Sequence, residues 1–455
     1  MAGVRFFIVL NASFWARVGV TAAVYLAVQW VILLLHPAGW AKYWVLQSPD
    51  TRQYWDAGIY AQLALTPACT AFYPLWPRLI HWLSLSTALV PTLRWAQLTS
   101  ASLFLLSLPL ALFTFEQLLK NRQIAFLSFF LYAVGPNAIF HSIGYTESLF
   151  SLLSLLFLLT LTAIEAPSVG SSTAYGWYGM LFGLTVGLSL TRPILLQSGF
   201  AIAFTLSVLL GLRLILVKSS RTLTSIGLVP TQFLSLAVVI GAGSLVGYGL
   251  YGFSCWQTVG DFWAPFHAQV DWGRTVGLRP WLLLLPRSLL IDLHGLYLPA
   301  LMSVAVVGML SVAARQRQYL VVILPRQVGW YLLLLHPLAF TGLLMGLARF
   351  RQAWVKVIKV SHLADWPRYL GRFSVLYAIA FAGVHSLINL LANSGNLYST
   401  SRHFFGTPFA FVGIGAILSA LSIPQLTRLG WGLAVVGVGL LAQQWVSYAT
   451  DGWLG

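Results

Sequence analysis

Long apolar segments recur along the chain, and they constrain its fold more than any other feature. Windows of about 20 residues, enough to cross a bilayer as a helix, fall at 14–36, 95–115, 123–143, 146–164, 176–192, 194–216, 228–252, 288–312, 373–392, 404–422 and 429–448. A further apolar region, 319–348, is interrupted by Pro325, Arg326 and Pro337. Because backbone polar groups must be satisfied internally in lipid, this pattern predicts an all-α, polytopic membrane protein with about 11–13 transmembrane helices.

The charge composition supports lipid as the solvent of this chain. Only 8% of the residues are charged, against about 25% in an average soluble domain. The net charge of +16 comes from basic residues in short loops between the apolar windows, as expected for cytoplasmic loops beside anionic lipid. We therefore expect membrane lipid as a partner and no nucleic acid. The first apolar window lacks a small-residue cleavage site and is predicted to be a retained anchor.

Loop charges predict which loops share a side of the membrane. The loops predicted to be inside carry Lys120, Arg122, Arg213, Lys218, Arg221, Arg315 and Arg317. The basic segment 349–372 is also predicted inside, so 319–348 is expected to be a hairpin of two short or re-entrant helices. The chain then forms one integral-membrane domain, 1–455, with outer loops at 37–94, 253–287 and 393–403.

Ionisable residues that are unusual in a membrane protein gather on this predicted outer face. They are Asp56, His141, Glu147, Arg192, Asp261, His267, Arg274 and Arg402. Since the chain has only 10 acidic residues, each carboxylate beside lipid must be paired or hydrated. Asp56 could cap a short helix, or it could act as a base at the water boundary.

The other motifs each allow a structural and a functional interpretation. Glu147, in the polar turn 135–150, could complement a helix dipole, hold a sugar hydroxyl or orient an arginine. Arg192 could snorkel to the interface or bind phosphate. The aromatic segment 260–274 could lie among lipid headgroups or cover a lipid-linked substrate. Arg402 is predicted at a helix N-terminus, an unfavourable place that a bound anion such as phosphate would offset.

Two cysteines, Cys69 and Cys255, are predicted in outer loops, where oxidation is possible. In separate loops they are expected to be unpaired; the alternative is a disulfide, which a Cα separation beyond about 7 Å would exclude. We expect no cofactor and no required metal, because the carboxylates are too few and too scattered for a cage of oxygen ligands.

Several motifs occur in an order that is similar to a known family. The blocks are Trp55-Asp56, 71–77, Pro136–Phe140, Gly144–Phe150, Thr191-Arg192 and 260–274. This order resembles the PIG-V family, the GPI mannosyltransferase 2 family with its bacterial relatives, and it spans 55–274, about half of the chain. Ser401-Arg402-His403 stands where the family has Pro-Arg-Tyr, which leaves the role of Arg402 open.

The resemblance implies a GT-C glycosyltransferase, a multi-span enzyme of glycolipid biosynthesis. Such enzymes take a sugar from a polyprenyl-phosphate carrier on the non-cytoplasmic side, and an acidic residue of the first outer loop is the catalytic centre. Asp56 matches that residue. We therefore expect an inverting transfer of a hexose, mannose above all, from a polyprenyl- or dolichyl-phosphate sugar to an acceptor hydroxyl, with Asp56 as the general base.

The donor phosphate, the sugar and the lipid tail each need residues to bind them. Arginine would stabilise the leaving phosphate, aromatic side chains would shape the sugar site, and a groove between helices would hold the tail. The predicted substrate-binding residues are Trp55, Tyr60, Phe72, His141, Glu147, Arg192, Gln269, Arg274 and Arg402. The acceptor could be a glycan, a lipid or a protein. The expected location is a bacterial cytoplasmic membrane, with the endoplasmic reticulum membrane as the alternative.

A lipid or solute transporter, or a flippase without bond chemistry, is the alternative function. A transporter usually places its polar groups near the middle of the membrane and often has inverted repeats. Here the charges gather at one face and no paired repeat is visible, which favours the enzyme. A purely structural membrane scaffold is a third interpretation.

Overall fold

Helices form every regular element in the part of the chain that the structure describes. This computed structural model describes residues 11–46, 51–119, 121–166, 171–218, 230–271, 274–277, 279, 371–394, 399–421, 424–452 and 454. Six of the described helices are long and apolar enough to cross a membrane. The prediction of an all-α, polytopic membrane protein is therefore confirmed. The apolar regions 288–312 and 319–348 lie outside the described residues, so the total number of transmembrane helices stays a prediction.

We number the helices over the described residues. They are α1 Ala12–Leu35, α2 Pro37–Tyr43, α3 Asp56–Leu65, α4 Leu75–Ser84, α5 Leu89–Leu119, α6 Arg122–Val134, α7 Glu147–Ile164, α8 Ser171–Thr191, α9 Leu195–Lys218, α10 Pro230–Val259, α11 Ala264–Asp271, α12 Phe373–Ala392, α13 Thr400–Phe405, α14 Pro408–Leu421 and α15 Pro424–Ala449. Two 3₁₀ turns, Thr51–Tyr54 and Pro136–His141, precede α3 and follow α6.

Several apolar windows differ from the observed helices. The window 123–143 is not one span: α6 ends at Val134, and a 3₁₀ turn begins at Pro136, whose ring and missing N–H do not allow a helix to continue. The window 404–422 is likewise divided, because α13 ends before α14 begins at Pro408. The predicted outer loop 37–94 is largely helical, and α10 extends to Val259 into the predicted loop 253–287.

Charged residues mark the two ends of α7, which has 18 residues and is therefore about 27 Å long. At its C-terminal end, Glu165 accepts hydrogen bonds from Arg372 (Nε, 3.2 Å) and from the backbone N–H of Ser374 (3.0 Å). Arg372 also donates to the carbonyl of Gln117 at the end of α5 (3.1 Å). Glu147 stands at the opposite end of α7. The length of α7 is close to the hydrocarbon thickness of a bilayer, about 30 Å, so Glu165 and Glu147 lie at opposite ends of a helix that is long enough to cross it.

Close packing of α8 on α10 positions the end of α8. A Cβ added to Gly247 of α10 would lie 2.6 Å from the Cβ of Ser189, so only glycine permits this approach. The Ser189 hydroxyl also donates to the carbonyl of Ser244 (2.9 Å). Small residues commonly bring transmembrane helices together in this way. Because α8 ends at Thr191, this contact fixes the position of the next residue, Arg192.

The two cysteines form a disulfide, and the expectation that they are unpaired was wrong. The Cα atoms of Cys69 and Cys255 lie 5.5 Å apart, inside the range that a disulfide requires. The bond joins the segment after α3 to the last turns of α10. Tyr251 strengthens the same junction, since its hydroxyl contacts the backbone of Thr70 and of Phe72, each at 3.0 Å. The sequence separation of the cysteines gave no signal for this contact.

Candidate active site

Asp56 is the first residue of α3, and the residue before it has an unusual backbone. Trp55 has a φ angle of 44°, a conformation that costs a non-glycine residue on the order of 1–3 kcal/mol and is common at functional sites. The Lys42 ammonium holds this side chain, because it lies 4.5 Å from the ring centres of both Trp55 and Tyr448. Lys42 is itself paired with Asp451 at 2.5 Å. The Trp55 side chain is thus held in place immediately before the first residue of α3.

Two carboxylates and two arginines meet beside Asp56. Arg402 bridges the carboxylates: its Nη1 donates to Asp56 Oδ2 at 2.5 Å and its Nε donates to Glu147 Oε1 at 2.5 Å. Arg192 forms a second ion pair with Glu147 and donates from Nε to the Thr146 hydroxyl at 3.0 Å. The Glu147 side chain is 0% exposed and that of Asp56 is 24% exposed. We call these four charged residues the Asp56 cluster.

This arrangement answers two questions that the sequence left open. Glu147 binds two arginines and therefore orients them. The residue before it, Thr146, makes no side-chain hydrogen bond that would cap the start of α7. The anions beside Arg402 belong to the chain itself, Asp56 and Glu147. Burial lowers the pKa of Arg402, but these carboxylates outweigh burial and hold that pKa well above its usual range. Arg402 is therefore a permanent cation between two acids.

Aromatic rings cover both guanidinium groups. The Arg402 guanidinium lies 4.3 Å from the centre of the Tyr145 ring and 5.2 Å from that of Phe140. The Arg192 guanidinium lies 5.3 Å from the Phe150 ring. Arginine stacks favourably on aromatic faces, and the rings exclude water from the ion pairs. The Asp56 cluster is therefore held in a fixed geometry.

The turn before α7 attaches the cluster to its surroundings. Gly144 has a φ of 83°, and a Cβ added to it would lie 3.2 Å from the Cβ of Ala57. Its N–H donates to the Ser100 hydroxyl (3.0 Å), and its carbonyl accepts from Trp76 Nε1 (3.0 Å). The turn thus lies directly against the first residues of α3. Glycine is needed here both for its backbone conformation and for this close approach.

A cavity of about 250 Å³ opens beside Asp56. Of the residues that the sequence predicted for the site, those lining it are Trp55, Asp56, Tyr60, Phe72, Arg192, Gln269, Arg274 and Arg402. Glu147 lies behind the wall, as the fully buried partner of the two arginines. The structure thus brings together residues from α3, the segment after it, α8, α11 and α13.

His141 is placed elsewhere. It is fully buried, its ring stacks on Phe104 at 4.5 Å between centroids, and its edge contacts Tyr132. It does not line the cavity. Asp261 and His267 also lie outside the cavity lining and pair with each other at 2.7 Å.

Arg274 differs from the other two arginines of the cavity. No carboxylate among the described residues lies within ion-pair distance of it. Burial lowers the pKa of Arg274, Arg402 lowers it further, and Asp56 acts in the opposite direction. Because a guanidinium stays protonated in proteins, Arg274 is a cation beside the cavity that Asp56 and Arg402 also line.

Among the polar residues of the cavity wall that were not predicted as site residues, four carry side-chain amides or imidazoles. Gln197 lies on α9, His385 and Asn389 on α12, and His403 on α13. His385 and Asn389 are one helical turn apart in the apolar window 373–392, and polar residues inside such a window commonly mark functional sites. That spacing was the available signal.

No family model and no curated protein matches the chain. Among solved structures, the chain is similar to ArnT from Cupriavidus metallidurans bound to undecaprenyl phosphate, with a TM-score of 0.43 and 14% identity over 90% of this chain and 78% of that one. It is also similar to the Archaeoglobus fulgidus oligosaccharyltransferase in the apo form, with a TM-score of 0.42 and 12% identity over 97% of this chain. The match spans 57% of the length of that second protein.

Proposed function

We propose that this protein is a GT-C membrane glycosyltransferase of the PIG-V type. It transfers a hexose, mannose in the first instance, from a polyprenyl-phosphate sugar to an acceptor hydroxyl. The observation that carries the proposal is the position of Asp56, whose carboxylate borders the cavity and is held by Arg402, which is in turn anchored on buried Glu147. A carboxylate oriented in this way at the edge of a cavity suits a general base.

The reaction is a single displacement at the anomeric carbon. The acceptor oxygen attacks that carbon while Asp56 takes the hydroxyl proton. The bond from the anomeric carbon to the phosphate oxygen breaks, and its electron pair leaves on the phosphate. The products are a glycoside of inverted configuration and a polyprenyl phosphate. The donor is a substrate, and the proposal includes neither a cofactor nor a required metal.

The leaving phosphate needs a cation, and we assign this role first to Arg274. Arg192 and Arg402 already have carboxylate partners, whereas Arg274 has none among the described residues. Its planar guanidinium can donate two parallel hydrogen bonds to a phosphate. Arg274 also lines the same cavity as Asp56, so one cavity holds both the base and a cation for the leaving phosphate.

We further propose that the site faces the non-cytoplasmic side of the membrane. The Cys69–Cys255 disulfide supports this, because disulfides persist in oxidising compartments. The residues just after Cys69, Ala71 to Tyr73, line the cavity itself. The basic loops that the sequence predicts to be inside support the same orientation. A bacterial cytoplasmic membrane fits this proposal.

The test is sugar transfer by purified protein in lipid, with polyprenyl-phosphate mannose as the donor. Asp56→Asn keeps the size of the side chain and removes the base, so we expect a loss of about 10²–10⁴-fold in rate. Asp261→Asn is the matched control, because it makes the same change at an exposed acid outside the cavity lining. Thermal unfolding of both variants checks that they remain folded.

Two outcomes would contradict the proposal. Undiminished transfer by a folded Asp56→Asn protein would rule out Asp56 as the base. If the wild type transfers no sugar but supports flux of a lipid or solute across liposomes, the transporter interpretation is correct instead.

A further inference from the structure

The cavity has a second polar wall, apart from the Asp56 cluster. It consists of Gln197, His385, Asn389 and His403, and we call it the imidazole wall. The two imidazole rings meet edge to face, with their centres 5.5 Å apart. His385 also stacks on Phe381, with an angle of 9° between the ring planes. The His385 ring is therefore held in one orientation by aromatic packing.

Three imidazole nitrogens of this wall have no hydrogen-bond partner among the described residues. They are Nδ1 and Nε2 of His385 and Nδ1 of His403. His385 is only 7% exposed. A buried polar atom without a partner has given up its hydrogen bonds to water without replacing them, and such atoms are uncommon in native structures. Because His385 lines the cavity, a ligand bound there can supply the partner that its nitrogens lack among the described residues.

The imidazole wall is suited to an uncharged ligand. Burial holds the pKa of His403 well below its usual range, and Arg192, His385, Arg402 and Arg274 lower it further. A neutral imidazole presents one N–H donor and one nitrogen acceptor. A side-chain amide, as in Gln197, likewise offers both a donor and an acceptor. Hydroxyl groups, which donate and accept at once, are the natural partners of such a surface.

We propose that the imidazole wall binds the hydroxyl groups of the hexose carried by the lipid-linked donor, and so determines which sugar is transferred. The inference rests on the proposed function. The donor sugar is favoured over an acceptor sugar because His403 adjoins Arg402 in sequence and is influenced electrostatically by Arg274. A hexose is joined directly to the phosphate that Arg274 would bind, so its ring must lie next to that residue. His385 and His403 would thus bind the sugar without taking part in bond formation.

The test compares the affinities of two probes, polyprenyl-phosphate mannose and polyprenyl phosphate without sugar. His385→Phe keeps an aromatic ring against Phe381 and removes both nitrogens. We expect it to weaken binding of the mannosylated probe about tenfold, the effect of one or two lost hydrogen bonds, and to leave binding of the bare phosphate unchanged. His385→Gln, which keeps a donor and an acceptor, should recover part of the loss.

Arg274→Gln is the contrasting variant, and we expect it to weaken both probes by a similar factor. His81→Phe makes the same substitution at an exposed histidine outside the cavity lining and should alter neither affinity. In a competition between donors carrying different hexoses, His385→Phe should also reduce the preference that the wild type shows.

The inference is overturned if His385→Phe weakens both probes equally, or weakens neither. Failure of the proposed function gives a different result, since the wild type would then bind neither probe and transfer no sugar. If His385→Phe does not fold, the comparison passes to His403→Phe, which removes both nitrogens of the other imidazole, and wild-type affinities of this variant for both probes would contradict the inference.

Discussion

Replacing Glu147 by Gln tests the physical core of the site. The side chain keeps its shape but loses a negative charge that is fully buried and paired with Arg192 and Arg402. Arg402 retains Asp56 as a partner, whereas Arg192 is left with the Thr146 hydroxyl as its polar side-chain contact among the described residues. The variant therefore buries a guanidinium without a countercharge.

The expected size of the effect separates two roles for Glu147. Removing one member of a buried ion pair typically costs about 3–5 kcal/mol, because the remaining charge stays desolvated. A glutamate that only complements the dipole of a helix contributes about 0.3–1 kcal/mol. Since Glu147 is 0% exposed and contacts both arginines, we expect the free energy of unfolding to fall by about 3–5 kcal/mol.

The assay combines denaturant unfolding of the purified protein in lipid with the transfer rate. We expect Glu147→Gln to lower the stability and also to reduce transfer, because Arg402 loses the contact that fixes it beside Asp56. The double variant Glu147→Gln/Arg192→Gln removes both charges of one pair, so its loss should be smaller than the sum of the two single losses.

Glu165→Gln is the matched control at the opposite end of α7. Glu165 is also largely buried and paired with Arg372, so its replacement should lower stability as well. It lies at the far face from the cavity, and transfer by the folded fraction should remain normal. A Glu147→Gln protein that loses less than about 1 kcal/mol, the upper value for a surface dipole contribution, would refute the argument that Glu147 is a buried, ionised anchor.

Three further predictions follow from other contacts. Replacing both Cys69 and Cys255 by serine should lower stability by about 2–4 kcal/mol, whereas in wild-type protein a thiol reagent should label neither cysteine until a reductant is added. Gly144→Ala should reduce transfer by at least tenfold, about 1.4 kcal/mol, because a φ of 83° strains alanine, and an unchanged rate would argue against this turn as a support of the site. Lys42→Met removes the ammonium that contacts the rings of Trp55 and Tyr448 and should lower transfer about tenfold through the loss of these cation–π contacts; quenching of Trp fluorescence by acrylamide should rise at the same time.

Much of the architecture could be predicted from local properties of the sequence. The apolar windows predicted α1, α5, α7 and α12 closely, because an uninterrupted run of about 20 apolar residues has few alternatives to a transmembrane helix. The prediction of a single span over 123–143 was wrong, because average hydropathy does not detect the break in the helix at Pro136. Of the eight ionisable residues that the sequence singled out, half line one cavity, namely Asp56, Arg192, Arg274 and Arg402.

Pairing between distant residues could not be predicted in the same way. Arg402 contacts Asp56 across a sequence separation of 346 residues, and nothing in the spacing of either residue encodes the other. The disulfide between Cys69 and Cys255 likewise joins residues that are far apart in the chain, with a sequence separation of 186. Such contacts depend on how the helices pack, and the packing depends on side-chain shapes along whole helix faces.

The sequence by itself determined that this chain is a membrane helix protein, and it singled out a small set of ionisable residues, including Asp56, Arg192 and Arg402, as candidates for one site. It did so because removing a backbone amide or a charge from water costs free energy, and any fold must compensate for that cost. Only the tertiary structure decided which contacts each of these residues makes. It gave Glu147 two arginines and left Arg274 without a carboxylate partner among the described residues. It also turned His385 toward the cavity, because burial and ion pairing depend on which side chains become neighbours in three dimensions.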